Sequence, residues 1–137
     1  VHKKCTENNG RCKRCCCSMR GNKLFEFTVI GNVNTKLNSN SMDYFDRMET
    51  LFSTLPRSIS LRKKISVDTK FTISSPRLRD TRALDLDNLN KPVLDHLTKA
   101  DVINDDANIF DLRTTKYPTD GEQFLHITGW EWIAYGN

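Results

Sequence analysis

Two hydrophobic periodicities alternate along the chain, and this alternation constrains the fold more than any other feature of the sequence. Four segments place apolar residues at every second position, which is the period of a half-buried β-strand. These segments are 24–30, 65–74, 109–116 and 123–132. Segments 41–55 and 87–100 instead space apolar residues three and four positions apart, as amphipathic helices do. The order predicts a small α/β (α+β) domain with a mixed four-stranded sheet, two helices packed on it and a final hairpin.

The second predicted helix contains a proline that restricts where the helix begins. Its buried stripe consists of Leu86, Leu89, Val93, Leu94 and Leu97. Pro92 has no backbone N–H to donate to a carbonyl four residues earlier, so it is best tolerated in a first turn. The sequence therefore predicts that this helix begins between Asp87 and Asn90.

Basic residues and cysteines are concentrated at the start of the chain. Residues 1–22 carry six basic side chains and Glu7, a net charge of +5, which leaves −1 for residues 23–137 of the 137-residue chain. We interpret 1–22 as a basic, Cys-rich tail outside the folded domain 23–137. Cys12-x-x-Cys15 has the spacing of a zinc knuckle, and Cys5 or His2 could supply a further ligand. We do not expect a Zn²⁺ site at Cys5, Cys12 and Cys15, because no second Cys-x-x-Cys follows and the three adjacent cysteines at 15–17 cannot all reach one tetrahedral ion.

Several classes of protein are not indicated by the sequence. No apolar run approaches the roughly 18 residues of a membrane span, and there is no secretory apolar region near the N-terminus. A phosphate-binding Gly-x-x-x-x-Gly-Lys pattern is also lacking. We expect a cytoplasmic, nucleoid-associated protein that uses neither a membrane nor a nucleotide cofactor.

An acidic motif surrounds one lysine in the middle of the chain. Asp85-Leu86-Asp87-Asn88-Leu89-Asn90-Lys91 opens the second helix, and Asp105-Asp106 follows that helix and precedes the next strand. Asp87, Lys91 and Asp95 share one helical stripe, because they lie four residues apart. The sequence alone leaves open whether the start of the next strand lies near the entrance of the helix or near its exit.

Two interpretations of these carboxylates remain open. If Asp85, Asp87 and Asp106 converge, they form an oxygen-rich site of the kind that Mg²⁺ prefers, with room for a substrate phosphate. The other interpretation is structural. An Asp at a helix N-terminus caps free N–H groups, and Asp105-Asp106 has the composition of a turn.

The motif resembles the central motif of the RusA family of small Mg²⁺-dependent endonucleases that resolve Holliday junctions, many of them carried by phages and prophages. The matching residues are Asp85-Leu86-Asp87-Asn88-Leu89, Lys91-Pro92, Leu94-Asp95, Leu97, Asp105-Asp106 and Ile109. Near the first strand the family tends to show Pro-Pro-Ser-x-Asn, where this chain has Gly31-Asn32-Val33-Asn34-Thr35 and only Asn34 corresponds.

The resemblance implies a fold, a reaction and a set of site residues. It implies a dimeric α/β domain that hydrolyses phosphodiester bonds of four-way junction DNA by paired symmetric cuts, in DNA recombination and repair. Asp85, Asp87 and Asp106 would bind Mg²⁺, for which Mn²⁺ is an expected substitute, and Lys91 would assist at the scissile phosphate. Asn88, Asp95 and Asp105 would support these residues.

Basic residues beside the motif are candidates for DNA contacts. Arg77, Arg79 and Arg82 precede it, and Lys116 lies on the following strand, so these four could meet phosphates flanking the cut. The alternative hypothesis is a non-catalytic, resolvase-like module that binds nucleic acid through the basic Cys-rich tail.

Overall fold

The structure contains both predicted helices and all four predicted strands. A computed structural model describes residues 18–55, 63–79 and 84–134, so the five cysteines and Arg82 lie outside the described residues. The mixed α+β class is confirmed, with one short helix more than the two predicted. The elements are β1 (Ser18–Ile30), α1 (Met42–Phe52), β2 (Ile65–Ser74), α2 (Ser75–Leu78), α3 (Leu86–Lys99), a 3₁₀ helix (Asp106–Asn108), β3 (Ile109–Thr119) and β4 (Phe124–Ala134).

The four strands form one sheet in the order β1-β4-β2-β3. β4 is antiparallel to both β1 and β2, whereas β2 and β3 are parallel. The predicted hairpin of the last two strands is therefore wrong, because β2 lies between them. β4 carries the fully buried Leu125 and Ile127 and takes a central position, while β3 has no buried residue and lies at an edge.

The helices cover one face of the sheet. The core lies between that face and the apolar stripes of α1 and α3, where Tyr44, Met48, Phe71, Leu89 and Leu97 are fully buried. The opposite face carries the partly exposed tryptophans of β4. The Arg20 guanidinium lies 3.9 Å from the ring of Trp130 and forms an ion pair with Asp68 at 3.2 Å.

Two element boundaries differ from the sequence-based expectation. α3 begins at Leu86, so Pro92 lies in the second helical turn rather than the first. The carbonyl that Pro92 leaves without a helical donor belongs to Asn88, which is exposed, so water can bond it. β1 begins at Ser18, and residues 18–22 of the predicted tail are therefore part of the sheet.

No helix in the described ranges has the length and apolar character needed to cross a membrane.

Candidate active site

The first turn of α3 presents the Asp85-x-Asp87 part of the motif to solvent. Asp85 is the N-cap of α3, and its carboxylate accepts a hydrogen bond from the backbone N–H of Asn88 at 3.0 Å. Asp87 and Asn88 in the first turn and Lys91 in the second turn are also exposed. The capping interpretation of Asp85 is thus confirmed, and one oxygen of its carboxylate is engaged within the helix.

The second acidic pair also takes part in a local turn. The Asp105 carboxylate accepts from the backbone N–H of Ala107 at 2.6 Å and caps the 3₁₀ helix that leads into β3. Asp106 is exposed in that 3₁₀ helix. Asp105 and Asp106 line an open groove of about 640 Å³ together with Asp95, His96 and Lys99 of α3.

The direction of α3 decides which acidic residues are neighbours. α3 runs antiparallel to β2 and β3. At its start, the Lys116 ammonium near the end of β3 donates to the Leu84 carbonyl at 2.9 Å. At its end, Val102 N–H donates to the Leu97 carbonyl, and the chain then returns to the start of β3. Asp85 and Asp87 therefore lie at one end of α3, and Asp106 lies near the other.

Within one chain the predicted metal ligands do not converge. Asp85 and Asp87 lie at the start of α3, whereas Asp106 lies beside its second half, in the groove with Asp95, His96 and Lys99. In residues 18–55, 63–79 and 84–134, no group of three His, Cys, Asp or Glu side chains is placed to hold a metal ion. The residues of a single chain thus do not fit a three-carboxylate Mg²⁺ site.

Three of the four basic residues predicted to meet DNA are among the described residues, and they lie at the Asp85 end of the sheet but differ in exposure and contacts. Arg77 is half-buried, and its Nη1 donates to the side-chain oxygens of Asn32 and Gln123, both at 2.7 Å. Burial lowers the pKa of the Arg77 guanidinium from its ordinary value. Arg79 is exposed at the end of α2. Lys116 is partly buried against Leu84, so only Arg79 of these three is both exposed and without such a contact.

One buried polar residue next to Lys91 was not identified from the sequence. Asn90 lies among the apolar positions of α3 and is only 6% exposed. Its side-chain oxygen accepts from the Thr69 hydroxyl at 2.8 Å, and its side-chain nitrogen donates to the Thr114 hydroxyl. The sequence did contain a clue to this role. Asn90 lies four residues after Leu86 and three before Val93, so its polar amide stands on a helix face that otherwise carries apolar side chains.

Comparisons with known proteins identify a family and add little else. The family model described as Endodeoxyribonuclease RusA matches residues 25–128. A search of curated proteins finds no match. Among solved structures, the periplasmic domain of Helicobacter pylori MotB is similar, with 14% sequence identity and a TM-score of 0.43. That likeness covers 88% of this chain and 82% of the MotB chain.

Proposed function

The chain belongs to the RusA endodeoxyribonuclease family, and from this premise we propose that it is a Mg²⁺-dependent, homodimeric endonuclease that makes paired cuts in four-way junction DNA. Membership implies a Holliday junction-resolving endonuclease and, in general, use of a divalent metal. The family match includes both acidic groups of the motif, and this observation carries the proposal. Mn²⁺ is the expected substitute, because it also prefers oxygen ligands.

The separation of the acidic residues supports a site completed by a second copy. Asp85 and Asp87 remain exposed at the start of α3, while Asp106 remains exposed before β3. Asp85 and Asp87 offer a divalent cation two carboxylates, and Asp106 of a second copy would supply a third. We propose that Asp106 of one copy joins Asp85 and Asp87 of the other, which gives two equivalent sites per dimer. When bound, the cation polarises the phosphate and favours deprotonation of a water.

The edge strand β3 offers a surface for such a dimer. Among the described strands, none pairs with the outer edge of β3. Phe110 and Tyr117 on this strand are 51% and 47% exposed, and a long open edge with apolar side chains favours pairing with another strand. In an antiparallel, two-fold pairing, the start of one β3 lies beside the end of the other. This arrangement brings Asp106 of one copy to the Asp85 end of the second copy.

Lys91 and the basic residues complete the proposed site. Lys91 is exposed one helical turn after Asp87, so its ammonium can meet the scissile phosphate and the charge that develops during cleavage. Asn88 and Asp95 lie on the same exposed side of α3, and Asp105 shapes the turn that carries Asp106. Arg79 is proposed to bind a flanking phosphate directly, whereas Arg77 reaches DNA only with its remaining N–H groups. Arg82 keeps its proposed role as a DNA contact.

The proposal is tested with a synthetic four-way junction, compared in Mg²⁺ and in EDTA. We expect paired, symmetric nicks that require Mg²⁺. Asp87→Asn should reduce the single-turnover cleavage rate by at least about a hundredfold, since even the loss of a residue that supports a metal ligand has effects of this size. Asp43→Asn is the matched control, because Asp43 is also an exposed acid in a first helical turn, that of α1. It should cleave like the parent.

A non-catalytic, nucleic-acid-binding module remains the alternative function. It predicts that the parent binds the junction but leaves it intact in both Mg²⁺ and Mn²⁺. It also predicts loss of binding when residues 1–17 are deleted, since they hold most of the basic charge of the tail. Metal-dependent nicks that disappear in Asp87→Asn would exclude it.

A further inference from the structure

A buried polar cluster of Thr69, Asn90 and Thr114 joins α3 to the middle of the sheet. Thr69 is fully buried on β2, Asn90 is nearly so on α3, and Thr114 lies beside them on β3. Thr69 and Thr114 are direct neighbours in the parallel register of the two strands. One amide side chain from the helix thus contacts both strands beneath it.

The hydrogen bonds of this cluster form a closed ring. The Thr69 hydroxyl donates to the Asn90 oxygen, and the Asn90 nitrogen donates to the Thr114 oxygen. The hydroxyl oxygens of Thr69 and Thr114 are 3.0 Å apart. Because each hydroxyl carries one proton and that of Thr69 is used on Asn90, the Thr114 hydroxyl donates across this gap. Every polar atom of the three side chains therefore has at least one partner.

A closed polar ring at this place restricts α3 in a way that apolar packing does not. The contacts of Leu89, Val93 and Leu97 with the sheet are non-directional, so they tolerate small axial or rotational shifts of the helix. Hydrogen bonds require short distances and near-linear donors. A second hydrogen bond also restricts the start of α3. The Lys116 ammonium donates to the carbonyl of Leu84, which lies one residue before Asp85.

We propose that the Thr69–Asn90–Thr114 cluster is a positioning device for the cleavage site, with Lys116 as its second anchor. Asn90 lies three residues after Asp87 and directly before Lys91, so a helix fixed at Asn90 fixes the positions of both. Lys116 then acts on the acidic motif through the backbone rather than as a primary contact to DNA. This inference rests on the proposed endonuclease function.

The test replaces the polar ring with apolar groups of similar shape. The triple variant Thr69→Val, Asn90→Leu, Thr114→Val removes all three partners together, so it leaves no buried polar group unpaired. We expect thermal stability and junction affinity close to those of the parent. The single-turnover cleavage rate should fall by about tenfold to a hundredfold, the scale of a misplacement of about 1 Å in an active site.

A conservative variant separates positioning from packing. Thr69→Ser with Thr114→Ser keeps both hydroxyls and should retain the parental cleavage rate, although it removes two methyl groups. Parental cleavage in the triple variant would overturn the inference, as would a loss in the serine variant as large as that in the triple variant. If the triple variant fails to fold, Asn90→Leu alone is compared with Thr69→Ser in the same assay. A parent that does not cleave contradicts the proposed function instead.

Discussion

At the scale of single residues, the described part of the chain combines satisfied and unsatisfied buried polar groups. Asn90 has partners for both ends of its amide, whereas the Tyr44 hydroxyl is buried without a hydrogen-bond partner among the described residues. Burial also raises the pKa of Tyr44 above its ordinary value. A buried hydroxyl that loses water and gains no partner lowers the stability of the fold.

Removal of the Tyr44 hydroxyl should therefore stabilise the protein. Tyr44→Phe keeps the aromatic ring against Phe45 and removes the unsatisfied group, so we expect the free energy of unfolding to rise by about 1 kcal/mol. Urea denaturation measures the change. Tyr117→Phe, compared at a protein concentration at which the chain is monomeric, is the control, because Tyr117 is 47% exposed in one chain and should leave the stability of the monomer unaltered. A clear loss of stability in Tyr44→Phe would contradict this assignment.

Individual residues of the candidate site differ in whether their contacts could be predicted from the sequence. Asp85 could be recognised as a cap and Asp105 as a turn residue, because both roles depend on spacing within a few residues. The role of Asn90 could not be recognised, since its partners Thr69 and Thr114 lie 21 and 24 positions away. The contact of Lys116 with Leu84 was missed for the same reason, and it makes direct DNA binding by Lys116 a weaker proposal.

At the scale of elements, the central strand β4 is built around a close approach to β1. Gly129 lies opposite Phe25, and a Cβ at Gly129 would come within 2.4 Å of the Phe25 ring. Phe25 is only 5% exposed, so its ring has little room to move away. The glycine allows this aromatic ring to cover the middle of the sheet.

Addition of one methyl group at Gly129 should accordingly weaken the sheet. We expect Gly129→Ala to lower the free energy of unfolding by about 1–3 kcal/mol, as overpacking in cores does. Gly121→Ala is the matched control, because the nearest atom to its added Cβ lies at 3.6 Å. Chemical denaturation compares the two, and equal stabilities would refute the close approach.

Element types followed from local patterns, but strand pairing did not. Segment 65–74 was predicted with the bounds that β2 has, because its alternation is regular. The hairpin of β3 and β4 was wrong, since adjacency in sequence does not determine which strand occupies the centre of a sheet. Pro92 also misled the prediction of the helix start, because the exposed side of α3 tolerates one missing hydrogen bond.

At the scale of the whole molecule, the path of the chain from β2 through α3 to β3 separates two acidic groups that the motif presents as one. The sequence left open which end of α3 lies near Asp106, and this depends on the parallel pairing of β2 and β3. A motif read along the chain therefore does not establish a metal site within one chain. Two copies related by a two-fold axis offer a way to reunite the acids and to cut a symmetric junction twice.

The measurement that tests the central claim most directly is cleavage by a purified mixed dimer. Asp87→Asn and Asp106→Asn chains are co-expressed with different affinity tags, and the dimer carrying both tags is isolated. If the site is shared between copies, this dimer contains one site with all of its acids intact. It should nick the junction once in Mg²⁺, while each parent variant remains inactive. A mixed dimer as inactive as either variant, or an absence of dimers, would contradict the shared site.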